Sequence, residues 1–196
     1  MNTTKNFWIA LGSFLVMIFS ANVTMAQSYT VNSKASDLKV EGTSNIHDWE
    51  ITAKDLQGTL KVEMEDGQLV KINSLDFAVV AESLESGKGG MDKNTYKALD
   101  TKKHKMITYK LEKVNNLDCT SKSDCKITTS GYLTIAGTKK PVDMVFDAKV
   151  SDGKIVLSGS KKLNMTHFKV DPPTAMFGTI TTGDEVTIKF KTAFSK

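Results

Sequence analysis

The residues with chemical capability are few and scattered. Ser44, His47 and Asp48 lie together in Ser44-Asn45-Ile46-His47-Asp48-Trp49. In an enzyme this stretch would make His47 a base and Ser44 a nucleophile. Side chains so close in a turn-like stretch rarely converge as a triad, and the sequence has no Gly-x-Ser-x-Gly elbow. The structural alternative has His47 and Asp48 bonding backbone groups at a corner, with Trp49 packed over it. The three histidines, His47, His104 and His167, show no paired metal-ligand spacing. No catalytic residue, metal ligand or cofactor is therefore assigned. Cys119 and Cys125 are close in Cys-Thr-Ser-Lys-Ser-Asp-Cys. In an oxidising compartment such a pair staples a loop; redox or metal work is the sharper reading, but the spacing is not Cys-x-x-Cys. The run Lys102, Lys103, His104, Lys105 either attracts an anionic head group or is a solvated face.

All 26 basic residues are lysines, and the formal net charge is +4. Without arginine the chain lacks the bidentate grip used on base edges and on transferring phosphoryl groups. Nucleic-acid readers and phosphoryl-transfer enzymes are disfavoured on that ground.

The elements that must position these residues are mostly strands. Val142, Met144, Phe146, Ala148 and Val150 alternate with Asp143, Asp147 and Lys149, and Val186, Ile188 and Phe190 alternate with Thr187, Lys189 and Lys191. Leu38 to Gly42, Met106 to Val114, Ile127 to Ile135 and Lys154 to Leu163 also read as strands. Val70 and Ile72 alternate with Lys71, then Leu75, Phe77 and Val79 continue in the opposite phase, which predicts a bulge near Asn73 and Ser74. Asp66-Gly67 and Asp152-Gly153 suit hairpin turns, and Asn115 to Lys126 reads as the loop of a third hairpin. Met91 to Leu99, after Gly87-Lys88-Gly89-Gly90, has helical spacing and predicts one short helix. About eight antiparallel strands in one all-β domain must stack as a sandwich or close as a barrel, and their up-and-down order favours the barrel.

The N-terminus reads as an export leader. Lys5 precedes the apolar run Phe7 to Phe19, and Thr24-Met25-Ala26 offers a small-residue cleavage site. The run is short for a membrane span of about 20 residues. The expected layout is residues 1–26 as a signal peptide and 27–196 as one β-barrel domain, periplasmic or secreted after cleavage near Ala26.

Alternation turns Phe77, Val79, Leu133, Ile135, Met144, Phe146, Ile188 and Phe190 toward the interior. They either line a cavity for an apolar ligand or pack a solid core. Met91, Tyr96 and Leu99 of the helix, with Phe177 after Pro172-Pro173, either form a lid or plug one end of the barrel.

Four blocks carry a family resemblance. They are Val40 to Trp49 (VEGTSNIHDW), Gly90 to Leu99 (GMDKNTYKAL), Gly131 to Val142 (GYLTIAGTKKPV) and Pro172 to Ile180 (PPTAMFGTI). In this order they resemble the YceI-like lipid- and polyisoprenoid-binding family, from about Tyr29 to Phe194. The resemblance implies a lipocalin-like eight-stranded antiparallel barrel with one short helix, in exported proteins of which some hold a long apolar chain. It implies a non-enzymatic carrier and moves the reading of the eight interior residues, with Met91 and Phe177, toward a cavity lining, although the family's motifs fix none of the ligand contacts. The expected partner is a lipid or isoprenoid small molecule, with no nucleic acid, no membrane span after cleavage, and a homodimer left open. The Cys-containing hairpin departs from the family pattern. The alternative function is an envelope protein–protein interaction module with a filled core and a disulfide-stapled hairpin.

Overall fold

The period-two pattern of the sequence reappears in the burial of the chain. In the strand Thr138–Ser151, Phe146 and Ala148 are buried and Val142, Met144 and Val150 half-buried, while Asp143, Asp147 and Lys149 are exposed. The computed structural model describes residues 25–151 and 153–196. Of the expected leader, residues 1–24 lie outside the described residues; Met25 and Ala26 open the first strand.

The strands are β1 (Met25–Val31), β2 (Asp37–Ser44), β3 (Trp49–Ala53), β4 (Leu56–Glu65), β5 (Gln68–Val80), β6 (Leu84–Glu85), β7 (Met106–Cys119), β8 (Asp124–Ile135), β9 (Thr138–Ser151), β10 (Lys154–Asn164), β11 (Thr174–Ala175) and β12 (Ile180–Ser195). Among the described residues one α-helix, α1 (Gly89–Leu99), lies between β6 and β7. Hydrogen bonding runs β1-β4-β5-β7-β8-β9-β10-β12, and β1 pairs back onto β12 through Thr30↔Ser195 and Val31↔Phe194. Eight strands thus form a ring. β12 is long enough to serve two neighbours: its end meets β1, and its first part pairs with β2, which carries β3 and β6.

The expected barrel is therefore present, with more strands than expected. The ring includes β1, which the sequence reading did not identify. β2, which it did, lies on the branch that widens the wall at one end. The short β3, β6 and β11 lack enough alternation to be recognised. The expected bulge is at Asn73: Lys61 pairs with Ser74 and Val62 with Ile72, leaving Asn73 without a partner. A second irregularity was not expected. Glu63 pairs with Lys71 and Met64 with Leu69, so Val70 is bulged outward and exposed rather than sharing the inner face of Ile72. The third hairpin is also longer than its sequence suggests. Strand pairing continues to Cys119↔Cys125, and only residues 120–123 form the turn.

The Asp66-Gly67 and Ala136-Gly137 turns have positive φ at both residues, as tight hairpins require. The β4–β5, β7–β8 and β9–β10 turns gather at one end of the barrel. The β2–β3 loop, α1, the β8–β9 turn and the β10–β12 connection gather at the other. Packing differs between them. Leu60, Val62, Leu69, Ile127 and Ile155 are fully buried toward the hairpin end. There the barrel is solid.

Candidate functional site

Toward the other end the inner faces of the same strands enclose a cavity of about 1050 Å³. All ten sequence-selected positions are at it: Phe77, Val79, Leu133, Ile135, Met144, Phe146, Ile188 and Phe190 on the strands, Met91 on α1, and Phe177 in the β11–β12 connection. They meet because β5, β8, β9 and β12 present every second residue to one interior. Leu38, Trp49, Ile51 and Leu75 add to the wall, and Leu163 and Phe168 add to the rim. Trp49 and Ile51 were missed because they belong to β3.

Tyr109, Thr129 and Thr192 are buried polar side chains inside the barrel. Tyr109 and Thr129 share a buried hydrogen bond of 3.1 Å between their hydroxyls. Burial pushes the Tyr109 phenol above its ordinary range, so it is a neutral hydrogen-bonding group at any ordinary pH. The hydroxyl end of the Tyr109 ring covers Gly131; a Cβ there would stand 2.6 Å from the phenol oxygen. Thr192, also buried, lines the cavity on β12.

α1 lies at the mouth. Met91, Asn94, Thr95 and Ala98, spaced at one helical face, line the cavity. Leu99 does too, but Tyr96 does not. Its hydroxyl donates to the Glu82 carbonyl at 2.9 Å, fastening the helix to the segment after β5. The helix ends at Asp100, whose left-handed backbone stops it. Phe177 is at the rim with its side chain wholly exposed, next to exposed Met176, so it does not cover the opening. Ile46, exposed in the β2–β3 loop, also lines the mouth. Asn45 joins the two loops: its side-chain amide donates to the Thr179 carbonyl at 2.9 Å, and its Oδ1 accepts from the Thr181 N–H at 3.0 Å.

The Ser44–Trp49 corner is occupied by backbone bonding. The Ser44 hydroxyl donates to the His47 carbonyl at 2.7 Å and accepts from the His47 N–H at 3.2 Å. His47 Nδ1 lies 2.8 Å from the Asp48 carbonyl oxygen. The Trp49 indole donates to the Thr43 carbonyl at 2.9 Å and covers Gly42, where a Cβ would collide with the ring at 2.2 Å. Glycine in the first sequence block is required by that contact. Among the described residues no cluster of three His, Cys, Asp or Glu side chains is arranged to hold a metal ion. No described helix is long and apolar enough to cross a membrane.

The Lys102–Lys105 run is outside the cavity lining. Lys103 pairs with Asp100 at 2.9 Å, and the His104 ring packs against Gly137. Among the described residues the lysines at the cavity are Lys88 and Lys93 at the start of α1, and Lys161 on β10. Cys119 and Cys125 are joined by a disulfide. It is at the solid end, with Cys119 Sγ 3.6 Å from the Leu69 carbonyl oxygen.

An antiparallel barrel, solid at one end and hollow with an apolar lining at the other, defines the architecture of a small-molecule binding protein. The chain belongs to the YceI-like family: the YceI-like domain matches residues 29–194. Its fold is similar to that of BcnA of Burkholderia cenocepacia, at 17% identity over 83% of this chain and 98% of that one, with a TM-score of 0.66. A polyisoprenoid binding domain from Saccharophagus degradans, implicated in plant cell wall breakdown, has 12% identity over 85% of this chain and 97% of that one, with a TM-score of 0.65. The Campylobacter jejuni YCEI protein has 23% identity over 74% and 83% of the respective chains, with a TM-score of 0.51. No curated protein matches the chain.

Proposed function

We propose that this chain is an exported, non-enzymatic carrier that holds a lipid or polyisoprenoid chain inside the barrel. The observation that carries the reading is the apolar cavity of about 1050 Å³ with its mouth at the α1 end. That volume lies just above the roughly 300–1,000 Å³ of small-molecule pockets, and suits a long flexible chain. Its lining supplies aliphatic, aromatic and Met side chains with few polar groups, so an inserted chain gains the burial of its own surface. The family and the polyisoprenoid binding domain of similar fold support the same class of ligand. Export is supported by the leader pattern of residues 1–26. A filled-core interaction module would need side chains in the volume that the cavity holds open.

Native mass spectrometry on protein purified from a membrane-containing host tests this directly. The expected result is a bound apolar species, or stoichiometric uptake of an added isoprenoid or fatty chain. Protein that is always ligand-free and takes up neither would refute the carrier.

A further inference from the structure

The wall of the barrel is interrupted beside the cavity. β9 and β10 pair from Lys154↔Ser151 to Gly159↔Phe146 and no further. Yet β9 begins at Thr138 and β10 runs to Asn164. Toward the mouth, residues 138–145 and 160–164 have therefore parted. One side chain spans the opening: Lys161 Nζ donates to the Asp143 carbonyl at 2.8 Å.

Lys161 is in phase with Leu157 and Leu163, both of which line the cavity, and it lines the cavity with them. Its neighbour Lys162 has the opposite phase and pairs with Glu185 across to β12 at 2.8 Å. One of two successive lysines thus serves the outer face, and the other is turned to the interior. Lys161 is half-buried and, among the described residues, has no carboxylate within ion-pair reach. The carboxylates of Asp143, whose carbonyl Lys161 bonds, and of Asp184 at the same end of the barrel have other partners. The Asp143 carboxylate accepts from Ser130 at 2.6 Å, and Asp184 accepts from Asn164 and Thr166. An ammonium has three donors, and one neutral carbonyl uses one of them. At the edge of an apolar cavity the remaining charge is poorly compensated, and an anion there would gain a charge-assisted bond.

We propose that Lys161 binds the anionic head of an amphiphile whose chain fills the cavity, with the head seated at the opening between β9 and β10. The inference rests on the carrier reading and narrows its ligand to chains ending in a carboxylate or phosphate.

Three probes with the same apolar chain test it on the full-length protein: hexadecanoate, hexadecyl phosphate and hexadecanol, at about pH 8, where both acids are ionised. The unaltered protein should bind at least one anion about tenfold more tightly than the alcohol. Preference for both means that a carboxylate suffices, and preference for the phosphate alone assigns the site to phosphate. Lys161→Met keeps an unbranched apolar stem. It should lower anion affinity about tenfold while alcohol affinity, which also reports that the barrel is folded, stays the same. Lys161→Arg should retain the preference. Equal affinity for all three probes, a preference that survives Lys161→Met, or an equal loss in Lys93→Met would overturn the assignment. If none of the three probes binds but an isoprenoid does, the assignment falls; if no isoprenoid binds either, the carrier reading itself fails.

Discussion

The two ends of this barrel are made from the same strands and do opposite things with them. At the hairpin end, Leu60, Val62, Leu69, Ile127 and Ile155 are fully buried in the packed core. At the α1 end, Phe77, Ile135, Ile188 and Phe190 face an open volume instead of one another. The alternation is equally regular in both, so pattern alone does not distinguish them. The difference is closure. At the solid end the ring is completed by direct β1–β12 pairing, which brings opposite walls into contact. At the open end β2 and β3 are inserted beside β12, and β9 parts from β10. A longer perimeter encloses more space than the same side chains can fill.

The same substitution at each end provides the strongest test. Ile127→Ala at the solid end should cost about 4 kcal/mol, because a rigid, fully packed site cannot collapse into the space left behind. Ile188→Ala borders existing space and should cost about 1–2 kcal/mol, mostly the transfer energy of the lost carbons. Urea unfolding measures both. Equal losses would mean that the cavity wall is packed in solution and that the hollow end is not hollow. Apolar probe binding should change in the opposite order, weakened by Ile188→Ala and unaffected by Ile127→Ala.

The disulfide sharpens the contrast by its position. Replacing Cys119 and Cys125 together with Ala frees a short loop in the unfolded chain and should cost about 2 kcal/mol. The Lys122 ammonium, 3.5 Å from the Asp66 carbonyl oxygen, and the Val150 N–H, which donates to the Ser123 carbonyl at 2.7 Å, tie this hairpin to its neighbours. None of these contacts reaches the cavity, so probe affinity at saturating folded protein should be unaltered. A coupled loss of affinity would show that the two ends communicate.

Much of this was legible in the sequence because alternation reports a side chain's face directly. The inward phases of β5, β8, β9 and β12 face one cavity, and the change of phase at Asn73 coincides with a bulge. What was not legible has physical reasons. β3 is five residues long and β6 two, too short for a period to show. Val70 is apolar but outward because a second bulge lies only three residues from the first. The hairpin at Cys119–Cys125 reads as loop because Asn115, Asn116, Asp118 and Asp124 are poor strand formers, although pairing overrides that preference. The Lys161 signal was present: it has the phase of Leu157 and Leu163. A lysine in an apolar phase resembles an edge residue until the parting of β9 and β10 is known. Whether space remains between inward side chains depends on the strand perimeter, which no local pattern records.

At the mouth, smaller effects are expected on stability and larger ones on exchange. Asn45→Ala removes both side-chain bonds that hold the β2–β3 loop to the residues leading into β12. The cost should be about 1 kcal/mol, since each exposed bond has a small net value. Release of a bound probe should accelerate as the rim loosens, measured by displacement kinetics. An unchanged release rate would place the exit elsewhere, with the β9–β10 opening as the alternative route.

The smallest effect expected is a pH dependence confined to the same end. Asp184 accepts the Thr166 N–H at 2.9 Å, the Asn164 amide at 2.8 Å and the Thr166 hydroxyl at 2.7 Å. These bonds, the backbone one foremost, hold its carboxyl below the ordinary aspartate value. The ordinary value, about 3.9, applies to the unfolded chain. Above it both forms are ionised and the contribution of Asp184 is complete. As pH falls through it, the unfolded chain takes up the proton first, and the contribution declines until the folded carboxyl also titrates. Asp124 at the solid end is lowered in the same way by Ser123 and Ser121, so a global acid titration mixes the two ends. The Thr166 amide separates them. Its exchange, corrected for intrinsic rate, should speed up as the pH falls below the ordinary aspartate value, and Asp184→Asn should remove that dependence while leaving the solid-end amides of Ile127 and Ile155 as slow as before. A pH response of the Thr166 amide that persists in Asp184→Asn would assign the acid sensitivity of the mouth to another group.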